Sequence, residues 1–184
     1  MSGTSTTLYR FRIDLSDVDR GVYEQLDFRV AQHPSESLPY LLTRVLAFAL
    51  NWQEGLEFSA LGLGDYESPT ISATHPNGRR ELWIEIGNPS PRKLHKASKA
   101  CPRVRVYTYK DPKSIVRESR GEEVHRAEQI EIFAFKSDVL DRLAKDLPKD
   151  ARLSLLCNDQ MLTIGLGDKT EATELRKVSL IEPE

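Results

Sequence analysis

The chain has 184 residues, of which 39% are hydrophobic and 29% charged, and its net charge is −2. This length fits a single domain over residues 1–184 that folds without disulfides or a structural metal, and the composition excludes a disordered chain. No apolar run approaches the roughly 20 residues that span a bilayer, and no secretory signal pattern follows the N-terminus. We therefore expect a cytoplasmic protein without membrane contact.

The first third of the chain predicts a β-hairpin and then a helix. Between Tyr9 and Leu15 apolar and polar residues alternate, and Val22 to Val30 repeats the pattern, which indicates two half-buried strands joined by a long loop at residues 16–21. A helix is predicted over Leu38–Asn51, because its leucines and valine share one face and serines with Pro39 mark its start.

The rest of the chain alternates strands with helices. Short strands are predicted at Leu56–Ala60 and Pro69–Ala73, and a longer one at Glu81–Ile86. Helices and strands then follow in turn, with Asp111 and Ser137 as helix caps: Arg92–Ala100, Val104–Tyr107, a helix from Asp111 to Gly121, Ile130–Phe135, a helix from Ser137 to Leu147, and a closing hairpin over Arg152–Leu166. This order predicts an α/β fold: a mixed sheet with flanking helices and with N- and C-terminal β-hairpins.

One strand carries acids on a face that helices should cover. Glu81, Trp83 and Glu85 point to one side, while Leu82, Ile84 and Ile86, a clean core face, point to the other. A buried carboxylate needs a partner. A divalent cation such as Mg²⁺ or Mn²⁺ is one alternative, and a structural ion pair with Arg44 or Lys96 is the other.

Common catalytic and metal motifs are absent from the sequence. There is no phosphate-binding Gly-Lys-Ser/Thr loop, no zinc helix and no nucleophile elbow, and the four histidines lack ligand spacing. Cys101 and Cys157 belong to no CxxC pair and are expected to be reduced, buried thiols. These observations disfavour most hydrolases, kinases and structural zinc proteins.

Basic residues concentrate in the segment Arg92–Arg126, which holds eleven of them against four acids. Such an excess is a candidate footprint for nucleic acid. A solvated helix face with strand ends gives the same pattern.

At several of these residues the chain resembles the YaeQ family of bacterial proteins. The similar blocks are His33-Pro34-Ser35-Glu36, Arg44 with Leu46 to Asn51, Leu56-Glu57-Phe58, Gly62-Leu63, Glu81 to Gly87 and Val106 to Tyr109. The resemblance implies a variant of the PD-(D/E)XK nuclease core, in which one strand carries a metal-binding aspartate and the next an acid-x-lysine pair.

The chain departs from that pattern at two positions. Thr70 stands where the resemblance implies the aspartate, and Gly87 where it implies the lysine. Under a nuclease hypothesis Glu85 is the principal metal ligand, with Asp65 and Glu36 assisting. The role of the lysine then passes to a neighbouring polar residue, for which the alternatives are Asn88, Lys93 and Lys96.

Three functions remain open. The first is a nuclease dependent on Mg²⁺ or Mn²⁺ that cleaves phosphodiesters. The second is a non-catalytic module on the same fold that binds nucleic acid or a protein through the Arg92–Arg126 region. In the third, Glu81 and Glu85 are purely structural.

Overall fold

The computed structural model describes residues 6–60, 63 and 65–181; Gly62, part of one similar block, lies outside these ranges. The described residues form eleven strands and four helices. The strands are β1 (Thr7–Asp17), β2 (Val22–Gln32), β3 (Leu56–Phe58), β4 (Ile71–Thr74), β5 (Arg80–Ile86), β6 (Val104–Thr108), β7 (Glu131–Ala134), β8 (Asp150–Asn158), β9 (Met161–Leu166), β10 (Lys169–Glu174) and β11 (Arg176–Ser179). The helices are α1 (Leu38–Leu50), α2 (Pro91–Ala100), α3 (Lys113–Ser119) and α4 (Ser137–Ala144).

The strands form two sheets, whereas the sequence predicted one mixed sheet; the prediction was wrong in the number of sheets. The first sheet has the order β10-β9-β8-β1-β2 and the second β11-β7-β6-β5-β4-β3. Both predicted hairpins are confirmed, and they join each other through β1 and β8, which run parallel. Alternation identifies the buried face of a strand but not its neighbour, and for that reason the sequence did not separate the sheets.

Helix α1 lies between the two sheets. Every residue from Leu41 to Leu50 is buried, and the core around it contains residues of β1, β2 and β8 on one side and of β4 and β5 on the other. A helix buried on all sides belongs to the interior of the protein. The predicted start of α1 is confirmed, because the hydroxyl of Ser37 accepts a hydrogen bond from the Tyr40 amide.

The second sheet is covered on its other face by α2 and α3. Strand β5 is central in this sheet, antiparallel to β4 and parallel to β6. Its residues Leu82, Ile84 and Ile86 belong to the α1 core, whereas Trp83 packs in a second core with residues of α2 and α3. The predicted separation of the two faces of β5 is therefore confirmed.

Several smaller predictions are also resolved. The predicted cap of α3 is confirmed in part: the Asp111 side chain accepts a hydrogen bond from the Lys113 amide, but α3 begins at Lys113, so that Pro112 precedes the helix rather than opening it. Ser137 is the first residue of α4 rather than its cap, and Lys136, which precedes it, makes no side-chain capping bond.

Cys101 and Cys157 are buried free thiols as expected. In the described part of the chain, no helix combines the length and hydropathy needed to cross a membrane.

Candidate functional site

Glu85 lies near the end of β5 with 3% of its surface exposed. The indole N–H of Trp83 donates a hydrogen bond to its Oε1 at 2.7 Å, and the hydroxyl of Thr70 donates to its Oε2 at 3.3 Å. Thr70 directly precedes β4, the antiparallel neighbour of β5. The strand pairing therefore brings Thr70, at the position of the implied aspartate, into contact with Glu85, the acid on the next strand.

The charge of Glu85 is balanced by Lys93 of α2, whose Nζ lies 2.9 Å from Oε2. Helix α2 begins just after β5, with the Ser90 hydroxyl accepting a bond from the Lys93 amide. Burial raises the pKa of Glu85, while the nearby ammonium of Lys93 opposes that shift. The ion pair anticipated with Arg44 or Lys96 is thus formed with Lys93 instead.

Gly87, where the resemblance implies a lysine, has a backbone that favours glycine. Its φ is +87°, in the left-handed region. A Cβ atom at this position would lie 3.2 Å from Cε2 of Tyr40. A lysine here would strain the backbone and displace the Tyr40 ring, so the ammonium beside Glu85 comes from α2.

Glu36 is the second buried acid of the region, with 5% of its surface exposed. Arg44 holds both of its oxygens, through Nε and Nη2 at 2.9 Å each, and the His33 amide donates to Oε2 at 3.0 Å. Arg44 also donates to the carbonyl of Ala31 in β2. Burial raises the pKa of Glu36, and Arg44 opposes the rise. Glu36 therefore fastens the start of α1 to the end of β2.

Both acids line a cleft of about 740 Å³. Tyr40 lines it too, and its hydroxyl donates to the carbonyl of Ile86 at 3.3 Å. Burial raises the pKa of Tyr40, and the negative charges of Glu85 and Glu36 raise it further. Tyr40 is therefore a neutral phenol at physiological pH.

Most of the other residues that line the cleft are polar or aromatic, beside the apolar Leu63, Ile86 and Pro89. The polar and aromatic ones include Ser35, Ser37, Ser90, Tyr66, Tyr109 and Lys110. Tyr109 and Lys110 directly follow β6, just as Asn88 follows its parallel neighbour β5. Ligands of open α/β sheets bind beyond the carboxyl ends of parallel strands, so this position was the signal that could have found them. Tyr40 and Tyr66 carried no comparable signal.

The structure brings together four of the six residues singled out from the sequence. Glu36, Glu85, Asn88 and Lys93 line the cleft, and Asn88 also donates to Glu118 of α3 at 3.1 Å.

The other two residues are Asp65, which lies in the loop before β4, and Lys96 of α2, which contacts this loop. Asp65 accepts a hydrogen bond from the Glu67 amide at 2.9 Å, and Lys96 forms an ion pair with the Glu67 carboxylate. The Ser68 hydroxyl lowers the pKa of Asp65, and so, more weakly, does the charge of Lys93. Both side chains thus hold the loop that carries Tyr66.

The model of the family described as "YaeQ protein" matches residues 1–175. The chain belongs to this family. YaeQ of Escherichia coli (strain K12) is 30% identical over 103 residues, which cover 56% of each protein, and the Salmonella typhi protein is 29% identical over the same share. In these alignments the chain therefore spans about half the length of the curated relatives.

Two crystal structures of the family have the same fold. The YaeQ protein from Pseudomonas syringae has a TM-score of 0.85 at 27% identity, covering 95% of this chain and 96% of its own. The YaeQ protein from Xanthomonas axonopodis pv. citri has a TM-score of 0.86 at 24% identity, covering 95% and 99%. The chain therefore shares its overall fold with these two relatives.

The donor set of the cleft does not fit a resident divalent cation in this family member. Among the described residues that line it, the carboxylates are Glu36 and Glu85. Arg44 holds both oxygens of the first, and Lys93, Thr70 and Trp83 engage the second. Mg²⁺ and Mn²⁺ favour free carboxylate oxygens, and a threonine hydroxyl is a weaker ligand.

The basic segment Arg92–Arg126 does not form one surface. Lys93 faces Glu85, whereas Arg103 donates to Gln53 and to the carbonyl of Glu81. Arg105 donates to Asn51, at the far end of α1, and to Glu131. The cleft therefore holds only part of this charge, in Lys93 and Lys110.

A separate group of potential ligands, Asp17, Asp19 and Cys157, lies at the β1–β2 turn. Arg20 pairs with Asp17 at 2.6 Å. Asp19 accepts bonds from the amides of Asp159 and Gln160, both of which have left-handed backbones. Burial raises the pKa of the Cys157 thiol to about 12. Asp19 therefore ties the turn between β1 and β2 to the turn between β8 and β9.

Proposed function

We propose that this cleft binds nucleic acid through its phosphodiester backbone, on a variant of the PD-(D/E)XK nuclease core. The observation that carries the proposal is the meeting of Thr70, Glu85 and Lys93 in one cleft. Thr70 and Glu85 stand at the positions of the aspartate and the acid that the resemblance implies, and Lys93 supplies from α2 the ammonium that the resemblance implies at Gly87. Because fold does not fix function, the proposal rests on the chemistry of these side chains.

The cation for a phosphate is the ammonium of Lys93. Lysine has three N–H donors, and its contact with Glu85 leaves others for a ligand. Ser90 and Lys93 place the first turn of α2 at the cleft, and the positive end of a helix dipole favours anions. Lys110 adds a second cation. Two lysines and a helix start together suit a phosphodiester.

Cleavage dependent on Mg²⁺ or Mn²⁺ is the second candidate function, favoured by the same convergence of residues. It requires a carboxylate pair that is free to hold the metal, and Thr70 and the Glu85–Lys93 pair do not supply one. In our proposal the cleft therefore binds a strand without cutting it. Strand cleavage that requires the cation and disappears in Glu85→Ala would favour the second candidate instead.

The test of binding is fluorescence anisotropy with a labelled oligonucleotide. With a single-stranded oligonucleotide, two phosphate contacts predict that affinity falls roughly sevenfold between 50 and 200 mM salt. Lys93→Gln should weaken binding and flatten this dependence by about half, because one contact is lost. Lys110→Gln, a change at an exposed side chain, should do the same.

The matched control is Lys99→Gln, at the far end of the same helix and outside the cleft. It should leave affinity and salt dependence close to those of the parent. Binding that does not depend on salt would contradict the proposal. So would equal losses of affinity in Lys99→Gln and Lys110→Gln.

A further inference from the structure

Two tyrosines stand at the mouth of the cleft. Tyr66 lies on the loop before β4 and is 79% exposed, while Tyr109 follows β6 and is half-buried. Exposed apolar surface at a polar cleft is a common mark of a binding site. The question is which part of a nucleic acid would meet these rings.

The turn that carries Tyr66 is held on both sides of the ring. The Asp65 side chain accepts a bond from the Glu67 amide across Tyr66, and the Glu67 carboxylate pairs with Lys96 of α2. The loop is thereby tied to the helix that provides Lys93. The backbone at Tyr66 is thus anchored on both sides, while its ring is exposed beside the cleft and accessible to a ligand.

Tyr109 is anchored through its hydroxyl, which lies 3.3 Å from the hydroxyl of Ser37. Its ring packs partly against the main core, and Nζ of Lys110 lies 6.0 Å from the ring centroid. An aromatic face and a cation are thus adjacent at the same rim. This pairing suits a nucleotide, whose base and phosphate are also adjacent.

We propose that the cleft takes single-stranded nucleic acid, with unpaired bases stacking on Tyr66 and Tyr109 while phosphates approach Lys93 and Lys110. The inference rests on the proposed function and specifies its ligand. In a duplex the base faces are already stacked on each other, so aromatic side chains gain contacts chiefly with single strands. Lysine contacts with phosphates make no such distinction.

The experiment measures anisotropy with three labelled probes of equal length: a mixed-sequence single strand, the matching duplex, and an abasic single strand. The abasic strand keeps the phosphates and removes the stacking surfaces. We expect the normal single strand to bind at least tenfold tighter than the other two. Tyr66→Ala should weaken binding of the normal strand about tenfold and leave the other two unchanged, in line with the energy of one stacked base.

Two variants serve as controls. Tyr66→Phe keeps the ring and should bind like the parent. Tyr23→Ala removes a ring that is 62% exposed on β2, outside the cleft, and should also bind like the parent.

The outcomes separate the two proposals. If duplex and single strand bind equally and Lys110→Gln weakens both, the cleft binds nucleic acid but the single-strand inference is wrong. If the abasic strand binds as well as the normal strand, stacking is excluded, and if Tyr66→Ala has no effect, the inference that bases stack on Tyr66 is wrong. If no probe binds, both proposals fall.

Discussion

The ammonium of Lys93 lies 2.9 Å from Oε2 of Glu85, although one residue belongs to a helix and the other to the strand before it. Glu85 is 3% exposed, and the Lys93 side chain is 19% exposed. The pair places an ammonium beside the carboxylate that the nuclease hypothesis takes as the principal metal ligand. The chemistry proposed for the cleft depends on this contact.

Lys93→Gln should destabilise the protein by about 3 kcal/mol at neutral pH, because it leaves a buried carboxylate without its cation. Urea unfolding measures the change. The control is Lys96→Gln on the same helix, whose ion pair with Glu67 is exposed and should cost less than about 1 kcal/mol. Adding Glu85→Gln to Lys93→Gln should restore part of the lost stability. Equal effects of the two lysine variants would contradict this reading.

Glu85 should also give stability a recognisable dependence on pH. Its pKa is raised in the folded protein above the ordinary value of 4.5, so the folded state binds the proton more tightly than the unfolded chain. Its contribution is fully present below about pH 4.5 and is lost as the pH rises through the folded pKa. Glu85→Gln cannot titrate and lacks this loss.

The measurement is urea unfolding of the parent and Glu85→Gln from pH 4 to pH 7. The stability of the variant relative to the parent should increase as the pH rises. A relative stability that falls with pH would mean that Lys93 outweighs burial and lowers the pKa of Glu85.

Gly87→Ala tests whether the end of β5 can accommodate a side chain at the position where the resemblance implies a lysine. The left-handed backbone alone should cost about 1–2 kcal/mol with any side chain. Gly78, with φ of +86° and open space around it, is the matched control for that cost. Gly87→Ala should cost more than Gly78→Ala, because its Cβ also presses on the Tyr40 ring. Equal losses in thermal unfolding would remove the steric part of the explanation.

Removing the Lys93 ammonium and introducing a carboxylate at position 70 should create a cation site. The double variant Thr70→Asp, Lys93→Ala places two carboxylates together beside Trp83. Terbium luminescence excited through tryptophan should rise with the double variant and stay low with the parent. Adding Glu85→Gln should abolish the signal. Strong terbium binding by the parent that Glu85→Gln removes would show that Lys93 does not block the site.

The sequence predicted local structure better than assembly. The alternation in β1 and β5 and the apolar spacing of α1 report burial, which local pattern encodes. Strands β10 and β11 escaped prediction because they are largely polar edge strands, and β11 in addition pairs with β7, which lies far away in the chain.

The site was predicted only in part, because local pattern reports which residues are buried but not which elements meet. Glu85 was recognised because a charge on a covered face breaks the pattern of its strand. Lys93 and Lys96 are about one helical turn apart, and the position of α2 over β5, which the sequence does not encode locally, decides which one reaches Glu85. Tyr66 lies on a loop without periodicity, so its place at the cleft came only from the structure.

The most direct test of metal-independent binding compares one labelled single strand in EDTA and in Mg²⁺. Our account predicts dissociation constants within about twofold of each other, a strand that stays intact, and weakened binding in Lys110→Gln under both conditions. Binding or cleavage that appears only with Mg²⁺ and is lost in Glu85→Ala would contradict it.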